Sequence, residues 1–182
     1  MLAGWQGSKH LAFDASGNQI ASVGPFCDYP CYAWFNTDGS VAAFNACLMY
    51  GGTSVGVSVS DLPGLDTDFF EKDHKIHLLE DDSRVYAAVA RDDEFIIGDA
   101  NGYLRAFDLQ GGFRWQHFIG GTITALDLSL DKHRLAVATR AGFLCVLRLD
   151  TGRRDPFTIG TASHKEVERL LFWKQEERIL RW

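Results

Sequence analysis

The residues best suited to bind a metal ion lie in the charged stretch from Asp73 to Asp82. His74 and His77 are three residues apart in this stretch, with carboxylates on both sides. Two imidazoles and a carboxylate can hold one ion. A spacing of three, however, directs the two rings to opposite faces of a β-strand. We therefore interpret the stretch as a solvated loop or strand and assign it no metal.

Three further patterns fall short of a recognisable site. Asp61, Asp66 and Asp68 lie near a glycine, but the sixth-position glycine and the closing glutamate of a calcium loop are absent at the required spacing. Residues 51–60 are rich in glycine and serine, yet no helix follows to complete a phosphate-binding loop. A Ser-His-Asp triad is recognised by geometry, not by spacing. The sequence therefore predicts no catalytic residue, no cofactor and no metal ligand.

The elements that would position any site form a repeat of about 40 residues. Residues 101–115, NGYLRAFDLQGGFRW, align with residues 141–155, AGFLCVLRLDTGRRD. Each copy contains short runs of alternating apolar residues that break at glycine, which is typical of four-stranded propeller blades and not of helical repeats. The same residue type recurs at aligned positions that include Gly102 with Gly142, Leu104 with Leu144, Leu109 with Leu149, and Gly112 with Gly152.

The predicted fold is all-β, a β-propeller of about four four-stranded blades in a single domain covering residues 1–182. A blade cannot bury both of its apolar faces alone, so neighbouring blades stack. The last whole blade is expected to have strands at 123–131, 134–140, 143–149 and 153–160. The predicted divisions are a partial blade with strands b–d at 1–26, a divergent blade at 31–80, whole blades at 83–120 and 122–162, and strands a and b of a closing blade at 166–182.

The strongest copy of the repeat resembles the quinoprotein-type (PQQ-like) propeller repeat. The residues that carry this resemblance are Gly102, Leu104, Phe107, Asp108, Gly111, Gly112 and Trp115, with Gly142, Leu144 and Gly152 matching in part. WD-repeat propellers are similar in shape and rank second, because the chain has neither a Trp-Asp dipeptide ending the third strand nor a Gly-His pair. Enzymes of the quinoprotein family hold a quinone and calcium in an eight-bladed ring. This chain lacks their adjacent cysteines, so we carry over only the role of the non-catalytic members, which bind proteins or scaffold assemblies.

Both ends of the sequence fall within a blade. Met1 aligns with Phe95 and Ile179 with Leu135, and both partners are expected in strand b. An incomplete blade exposes an unpaired edge, which is a template for another strand. A four-bladed monomer or an eight-bladed homodimer would close this edge, and another ring size or partner stays open. We favour the homodimer. The residues expected at its interface are Trp5, Leu171, Trp173, Ile179 and Trp182, because aromatic and aliphatic anchors are favoured there.

The distribution of charge narrows the choice of partners. The net charge is −6. Residues 1–100 contain five Lys/Arg and fifteen Asp/Glu, a balance of −10, whereas residues 101–182 contain thirteen and nine, a balance of +4. An acidic chain without a basic cluster is a poor binder of nucleic acid. The split instead favours attraction between the two ends of the molecule or between two copies.

The sequence also indicates the cellular compartment of the protein and the redox state of its cysteines. No stretch has the roughly 20 apolar residues that a membrane span needs, and the amino terminus has no signal-peptide pattern. We expect a cytoplasmic protein that does not bind membranes. Cysteines are few and irregularly spaced, and we expect buried free thiols: Cys27, Cys31, Cys47 and Cys145.

Two function classes follow from this architecture. The first is a non-enzymatic interaction or scaffold protein, which we favour. The alternative is a ligand- or cation-binding propeller, possibly enzymatic, with a site at the central channel. Its candidate ligands are aspartates that recur where strand a ends: Asp38, Asp92, Asp93 and Asp131. Aspartate is also favoured in tight turns, where its carboxylate accepts local hydrogen bonds, and we prefer that interpretation.

Deletion of residues 168–182 tests the closure argument. We expect the truncated chain to be insoluble or aggregated, because it would expose an unpaired strand edge. Solubility and mass in solution are the measurements. A truncated chain that stays soluble with an unchanged oligomeric state would contradict the argument.

Overall fold

The regular structure of this chain is almost entirely β-strand. A computed structural model describes residues 1–24, 29–49, 51–68 and 73–182. Within these ranges there is one turn of 3₁₀ helix, at Val59–Asp61, and no α-helix. None of the described residues therefore belongs to a helix long and apolar enough to cross a bilayer. Cys27 lies outside the described residues.

Seventeen strands are described. In chain order they are β1 (Leu2–Ala3), β2 (His10–Phe13), β3 (Gln19–Val23), β4 (Tyr29–Phe35), β5 (Val41–Leu48), β6 (Gly51–Ser58), β7 (Leu65–Thr67), β8 (Ile76–Glu80), β9 (Val85–Arg91), β10 (Glu94–Asp99), β11 (Tyr103–Asp108), β12 (Phe113–Phe118), β13 (Ile123–Leu128), β14 (Arg134–Thr139), β15 (Phe143–Arg148), β16 (Lys165–Leu171) and β17 (Leu180–Arg181).

These strands form four sheets. Their orders are β1-β2-β3-β7, β4-β5-β6-β8, β12-β11-β10-β9 and β13-β14-β15-β16-β17. In the second sheet, all four strands lie within the range 31–80 that the sequence predicts for a divergent blade, give or take two residues at its start. The first sheet differs from the prediction, because β7 leaves the second blade's stretch of sequence and pairs in parallel with β3.

The fourth sheet corrects one strand of the sequence analysis. The predicted strand at 153–160 is wrong, because the fourth place is taken by β16, which pairs antiparallel with β15. Residues 166–182 consequently lie in this same sheet and do not begin a new one. The physical reason is composition: Pro156 cannot donate to a strand ladder, whereas Lys165–Leu171 contains no glycine or proline.

The chain divides into two compact units, and each has its own apolar core. The first unit comprises Met1–Val85, Ala90–Phe95 and Phe107–Phe113. Its core includes Phe44, Val55, Val57, Leu62 and Leu65. The second unit comprises Tyr86–Val89, Ile96–Ala106 and Arg114–Trp182. Its core includes Leu104, Trp115, Ile123, Leu135, Val137 and Leu147. Removal of these side chains from water is the main stabilising term in each unit.

The 40-residue repeat is visible in the turns of the second unit. The Asp99 carboxylate accepts hydrogen bonds from the N–H groups of Asn101 and Tyr103, at 2.9 and 2.8 Å. At the equivalent place, the Thr139 hydroxyl accepts one from the N–H of Phe143, at 3.2 Å. In both turns the glycine of the repeat has a positive φ, which glycine adopts without a Cβ penalty.

His10 is a buried polar group in the first unit. Its Nε2 donates a hydrogen bond to the backbone carbonyl of Asn45, at 2.9 Å. Its ring centroid lies 5.3 Å from that of Phe44. Burial lowers the pKa of His10 from 6.5 to about 4, because the charged imidazolium is poorly solvated there. The hydrogen bond to Asn45 opposes this shift only in part.

His10 makes the first unit sensitive to acid. Between pH 6.5 and about 4 the unfolded state binds the proton that folded His10 refuses, so the free energy of unfolding falls as the pH falls. We expect a loss of about 2 kcal/mol between pH 7 and pH 5, measured by urea denaturation. His10→Gln should reduce this dependence to the part that comes from the other buried histidine with a lowered pKa, His117. His133→Gln, at an exposed turn position, should leave it whole. Equal pH dependence in all three proteins would contradict the assignment.

Candidate functional site

A cleft of about 500 Å³ lies entirely within the second unit. One wall is the end of β12, with His117 and Phe118, and the other is formed by β16 residues Glu166 to Arg169. The segment between Asp155 and Ile159 and the side chain of Trp182 complete the lining. The cleft therefore lies where the fourth sheet departs from the predicted arrangement of strands.

The segment 159–162 forms part of the cleft because its backbone pairs with β12. The Phe118 N–H donates to the Ile159 carbonyl at 2.8 Å, and the Thr161 N–H donates to the Gln116 carbonyl at 2.8 Å. Gly160 lies opposite His117 in this pairing. A Cβ at Gly160, whose φ is +150°, would overlap the Gln116 carbonyl. Close approach of the two backbones therefore requires glycine at this position.

A tight turn projects Phe157 from the rim of the cleft. The Asp155 carboxylate accepts a hydrogen bond from the Phe157 N–H at 3.0 Å, and the Asp155 carbonyl accepts one from the Thr158 N–H at 3.1 Å. The Phe157 side chain is 95% exposed. A large aromatic side chain held in solvent by its own turn is a candidate anchor for a binding partner.

The rim of the cleft combines large apolar side chains with charged groups such as Asp155 and Glu168. Large hydrophobic side chains exposed singly are common on protein surfaces, but several around one cleft mark an interaction site. Four line this cleft, with exposures between 42 and 95%: Phe157, Ile159, Val167 and Trp182.

Glu166 and Arg169, which both line the cleft, form an ion pair. Arg169 Nε and Nη2 lie 2.6 and 2.7 Å from the two carboxylate oxygens of Glu166. A third guanidinium nitrogen, Nη1, donates to the Ile119 carbonyl at 3.1 Å. The same guanidinium lies 5.0 Å from the ring centroid of Phe143. The hydrogen bonds with Glu166 raise the pKa of Arg169. The bidentate pair lies within β16 and orients the guanidinium, and the hydrogen bond to Ile119 joins β16 to the residue that follows β12.

His117 is buried beside this pair. It is 1% exposed, and its Nδ1 has no hydrogen-bond partner within the described part of the chain. Burial lowers the pKa of His117, with Glu166 opposing the shift and Arg169 supporting it. The imidazole is therefore neutral near pH 7 and can accept or donate one hydrogen bond through its unused nitrogen.

Cys145 of the second unit is not an activated nucleophile. Cys145 on β15 is buried and free, and burial raises the pKa of its thiol to about 11. The thiolate is the reactive form, so this cysteine is inert at neutral pH. Among residues 1–24, 29–49, 51–68 and 73–182, no three His, Cys, Asp or Glu side chains are grouped to hold a metal ion.

The carboxyl-terminal residues add a second apolar surface. Trp182 and Arg169 exchange two backbone hydrogen bonds, of 3.0 and 3.1 Å, and Arg181 forms an ion pair of 2.8 Å with Glu168. These contacts place Trp182 at the cleft. We use the name carboxyl-terminal surface for the exposed large apolar residues of this segment: Phe172, Trp173, Ile179, Leu180 and Trp182.

The five residues predicted at an assembly interface fall in different places. Trp182 lines the cleft, and Trp173 and Ile179 line a smaller cleft formed by residues 172–179. Leu171 is partly buried in β16, opposite Leu180. Trp5 is exposed in the first unit. Their role in assembly stays a prediction.

The turn interpretation of the recurring aspartates is confirmed at two positions. Asp38 accepts hydrogen bonds from the Asn36 amide and the Ser40 N–H, at 2.8 and 2.9 Å. Asp131 accepts one from the N–H of His133 at 3.1 Å. Hydrogen bonds from Ser40 lower the pKa of the Asp38 carboxyl, and hydrogen bonds from the Ser129 hydroxyl and the His133 N–H lower that of Asp131. Asp92 and Asp93 lie in the turn between β9 and β10.

The histidines and the repeat-signature residues singled out in the sequence lie in strands and turns. His77 lies in β8, whereas His74 is in the preceding turn, 3.5 Å from Asp73. Of the repeat-signature residues, Leu104 and Trp115 are buried in the core of the second unit. Asp108 accepts hydrogen bonds from the N–H groups of Gln110 and Gly112, at 3.0 and 2.7 Å, which closes the turn after β11.

Comparison with known proteins places the fold. No protein-family model matches the chain, and no curated protein matches it. Among solved structures, the Cps50 (Swd1) β-propeller domain of Myceliophteria thermophila matches with a TM-score of 0.52 over 73% of this chain, at 14% identity. The fold is a β-propeller. The predicted all-β propeller of about four blades is confirmed at the level of fold, and the likeness supports a WD-repeat-like arrangement. This chain covers 38% of the length of that one.

Gly160→Ala tests the pairing that builds the cleft. We expect a loss of about 3 kcal/mol in the free energy of unfolding, because a Cβ adds a steric overlap to the cost of the positive φ. Gly152→Ala is the matched control, since its φ is also positive but its Cβ would meet open space. That variant should lose only about 1 kcal/mol. Urea denaturation followed by tryptophan fluorescence measures both. Equal losses would show that the backbones are not closely paired.

Proposed function

We propose that this protein is a non-enzymatic protein-interaction module that binds a second copy of itself. The observation that carries this proposal is the set of exposed apolar side chains at the rim of the cleft, together with the carboxyl-terminal surface. Exposed aromatic and aliphatic side chains concentrated in one segment, residues 157–182, are the composition expected of a docking surface. Trp182 belongs to both features and is the central residue of the proposed interface.

The chemistry of the cleft supports binding better than catalysis. Arg169 and Glu166 neutralise each other through a bidentate pair, so neither offers a free charge to a reacting group. The raised pKa of Cys145 leaves its thiol protonated. His117 is buried, so its ring is not accessible to a substrate. A partner side chain with an apolar body would pack against the exposed apolar residues of the cleft.

The charge distribution supports a second copy as the occupant. Residues 1–100 have a balance of −10 and residues 101–182 a balance of +4. The exposed apolar residues of the cleft and of the carboxyl-terminal surface lie in the positive half of the sequence. In a homodimer, the positive half of one copy would attract the negative half of the other, which favours both encounter and orientation. An eight-bladed assembly of two chains with quinoprotein-type repeats is the form that we propose.

Mass in solution tests the proposal. Light scattering after size exclusion should give twice the chain mass of 20.3 kDa at micromolar concentrations. Trp173→Ala combined with Trp182→Ala should raise the dissociation constant at least roughly tenfold, because aromatic anchors supply most of the energy of an interface. Leu130→Ala is the control, since it removes a fully exposed apolar residue from the turn between β13 and β14.

Two results would overturn the proposal. A wild-type chain that has the monomer mass at every concentration would exclude self-association. An effect of Leu130→Ala equal to that of the tryptophan variant would show that the carboxyl-terminal surface is not the interface. Far-ultraviolet circular dichroism of each variant confirms that the strands are retained.

A further inference from the structure

A second pocket of the second unit, of about 380 Å³, has a different chemistry from the cleft. Its polar lining is dominated by three cationic side chains, those of Arg153, Arg154 and Lys165, and its apolar lining by Pro156 and Phe157. Phe157 also lines the cleft, so this side chain separates the two depressions. We call the second one the basic pocket.

We propose that the basic pocket binds an acidic segment of a partner protein, with neighbouring carboxylates next to a large apolar side chain. The inference rests on the proposed function in one respect, namely that the chain is a protein-interaction module. It adds the chemistry of the partner, which the apolar side chains of the rim alone do not specify.

The first argument is that the three cations have no acidic partner. Within the described part of the chain, Arg153, Arg154 and Lys165 take part in no ion pair. Some other basic side chains of the second unit are paired: Arg105 with Asp99, Arg169 with Glu166, and Arg181 with Glu168. Within the described residues Arg134, Arg140 and Arg148 also form no ion pair. The basic pocket is distinguished because three such cations line one depression.

The second argument is that Asp155, whose carboxylate is the one lining the pocket, already accepts a hydrogen bond within its own turn. Asp155 uses an oxygen to accept the hydrogen bond from the Phe157 N–H that holds the turn. Three positive charges against one negative charge leave the pocket with a net balance of +2. A guanidinium presents its donors in a fork that matches a carboxylate, and two adjacent arginines suit two adjacent carboxylates.

The third argument concerns the apolar part of the partner. Phe157 is 95% exposed and is preceded by Pro156. Both line the basic pocket, so an apolar side chain next to the carboxylates would pack on them. The whole chain is acidic, with a net charge of −6. Long-range repulsion therefore disfavours a polyanion such as nucleic acid, whereas a short acidic peptide needs only the local balance.

A peptide-binding measurement with the full-length protein tests the inference. The probe is a fluorescein-labelled peptide, IHLLEDDSRV, which copies residues 76–85 of this chain and joins leucines to consecutive acids. Fluorescence anisotropy should show saturable binding. The same peptide with Glu and Asp replaced by Gln and Asn should bind at least roughly tenfold more weakly, because charge-assisted hydrogen bonds are lost.

Variants of the protein locate the site. Arg153→Ala combined with Arg154→Ala should weaken binding at least roughly tenfold, and Phe157→Ala should weaken it by a similar factor, since aromatic anchors contribute that much. The matched control is Arg134→Ala combined with Arg140→Ala, which removes the same charge at the two ends of β14. This control should leave the affinity within about twofold of the wild type, since charges remote from a site change affinity little.

Each outcome decides the inference. Absence of binding, equal binding of the acidic and amide peptides, or equal effects of the two arginine pairs would overturn it. Displacement of the peptide by an equal concentration of single-stranded oligonucleotide would also overturn it, since the pocket would then select phosphates. Self-association measured on the same samples separates the two proposals: a monomer that binds the acidic peptide refutes the dimer alone, and a dimer that ignores it refutes the acidic partner alone.

Discussion

The close backbone pairing between β12 and segment 159–162 is the constraint on which the candidate sites depend. It is possible only because Gly160 has no Cβ where the Gln116 carbonyl approaches. The pairing fixes the end of the excursion between β15 and β16, and the Asp155 turn then directs Phe157 into solvent. Without this anchor neither the position of the apolar rim residues nor the separation of the two pockets would be defined. A backbone contact therefore determines where the exposed side chains of this surface lie.

The charged groups of the second unit differ in whether they have an internal partner. The Glu166–Arg169 pair is bidentate and partly buried, and its guanidinium joins β16 to the Ile119 carbonyl. This pair has a structural role, because its two charges neutralise each other. The arginines of the basic pocket differ in having no such partner. Internal pairing is therefore the basis on which we propose a binding role for one group of charges and not for the other.

The sequence predicts the regular parts of this fold well and the irregular parts poorly. Strands β13 to β15 lie within about three residues of the predicted ranges, because alternating apolar residues bounded by glycine are a local signal. The fourth strand of the last sheet was misplaced to 153–160, where Pro156 argued against a strand, and β7 was not foreseen. Trp182 was predicted at an interface and does line the cleft. Phe157, His117 and Arg169 were missed, since their positions depend on a long-range pairing that periodicity does not encode. The arginine pair at 153–154 is visible in the sequence, but Asp150 and Asp155 flank it, so it did not mark a site.

The parallel pairing of β7 with β3 has a consequence for how the first unit forms. The chain builds β4 to β6 of the second sheet, returns to add β7 to the first sheet, and only then supplies β8 to the second. The strands of the two sheets therefore alternate along the chain, and neither sheet is formed by one continuous segment. Excising one of them as a continuous segment, or duplicating it during evolution, would leave a strand behind. Folding of this unit must also close long loops early, which raises its contact order and slows the reaction.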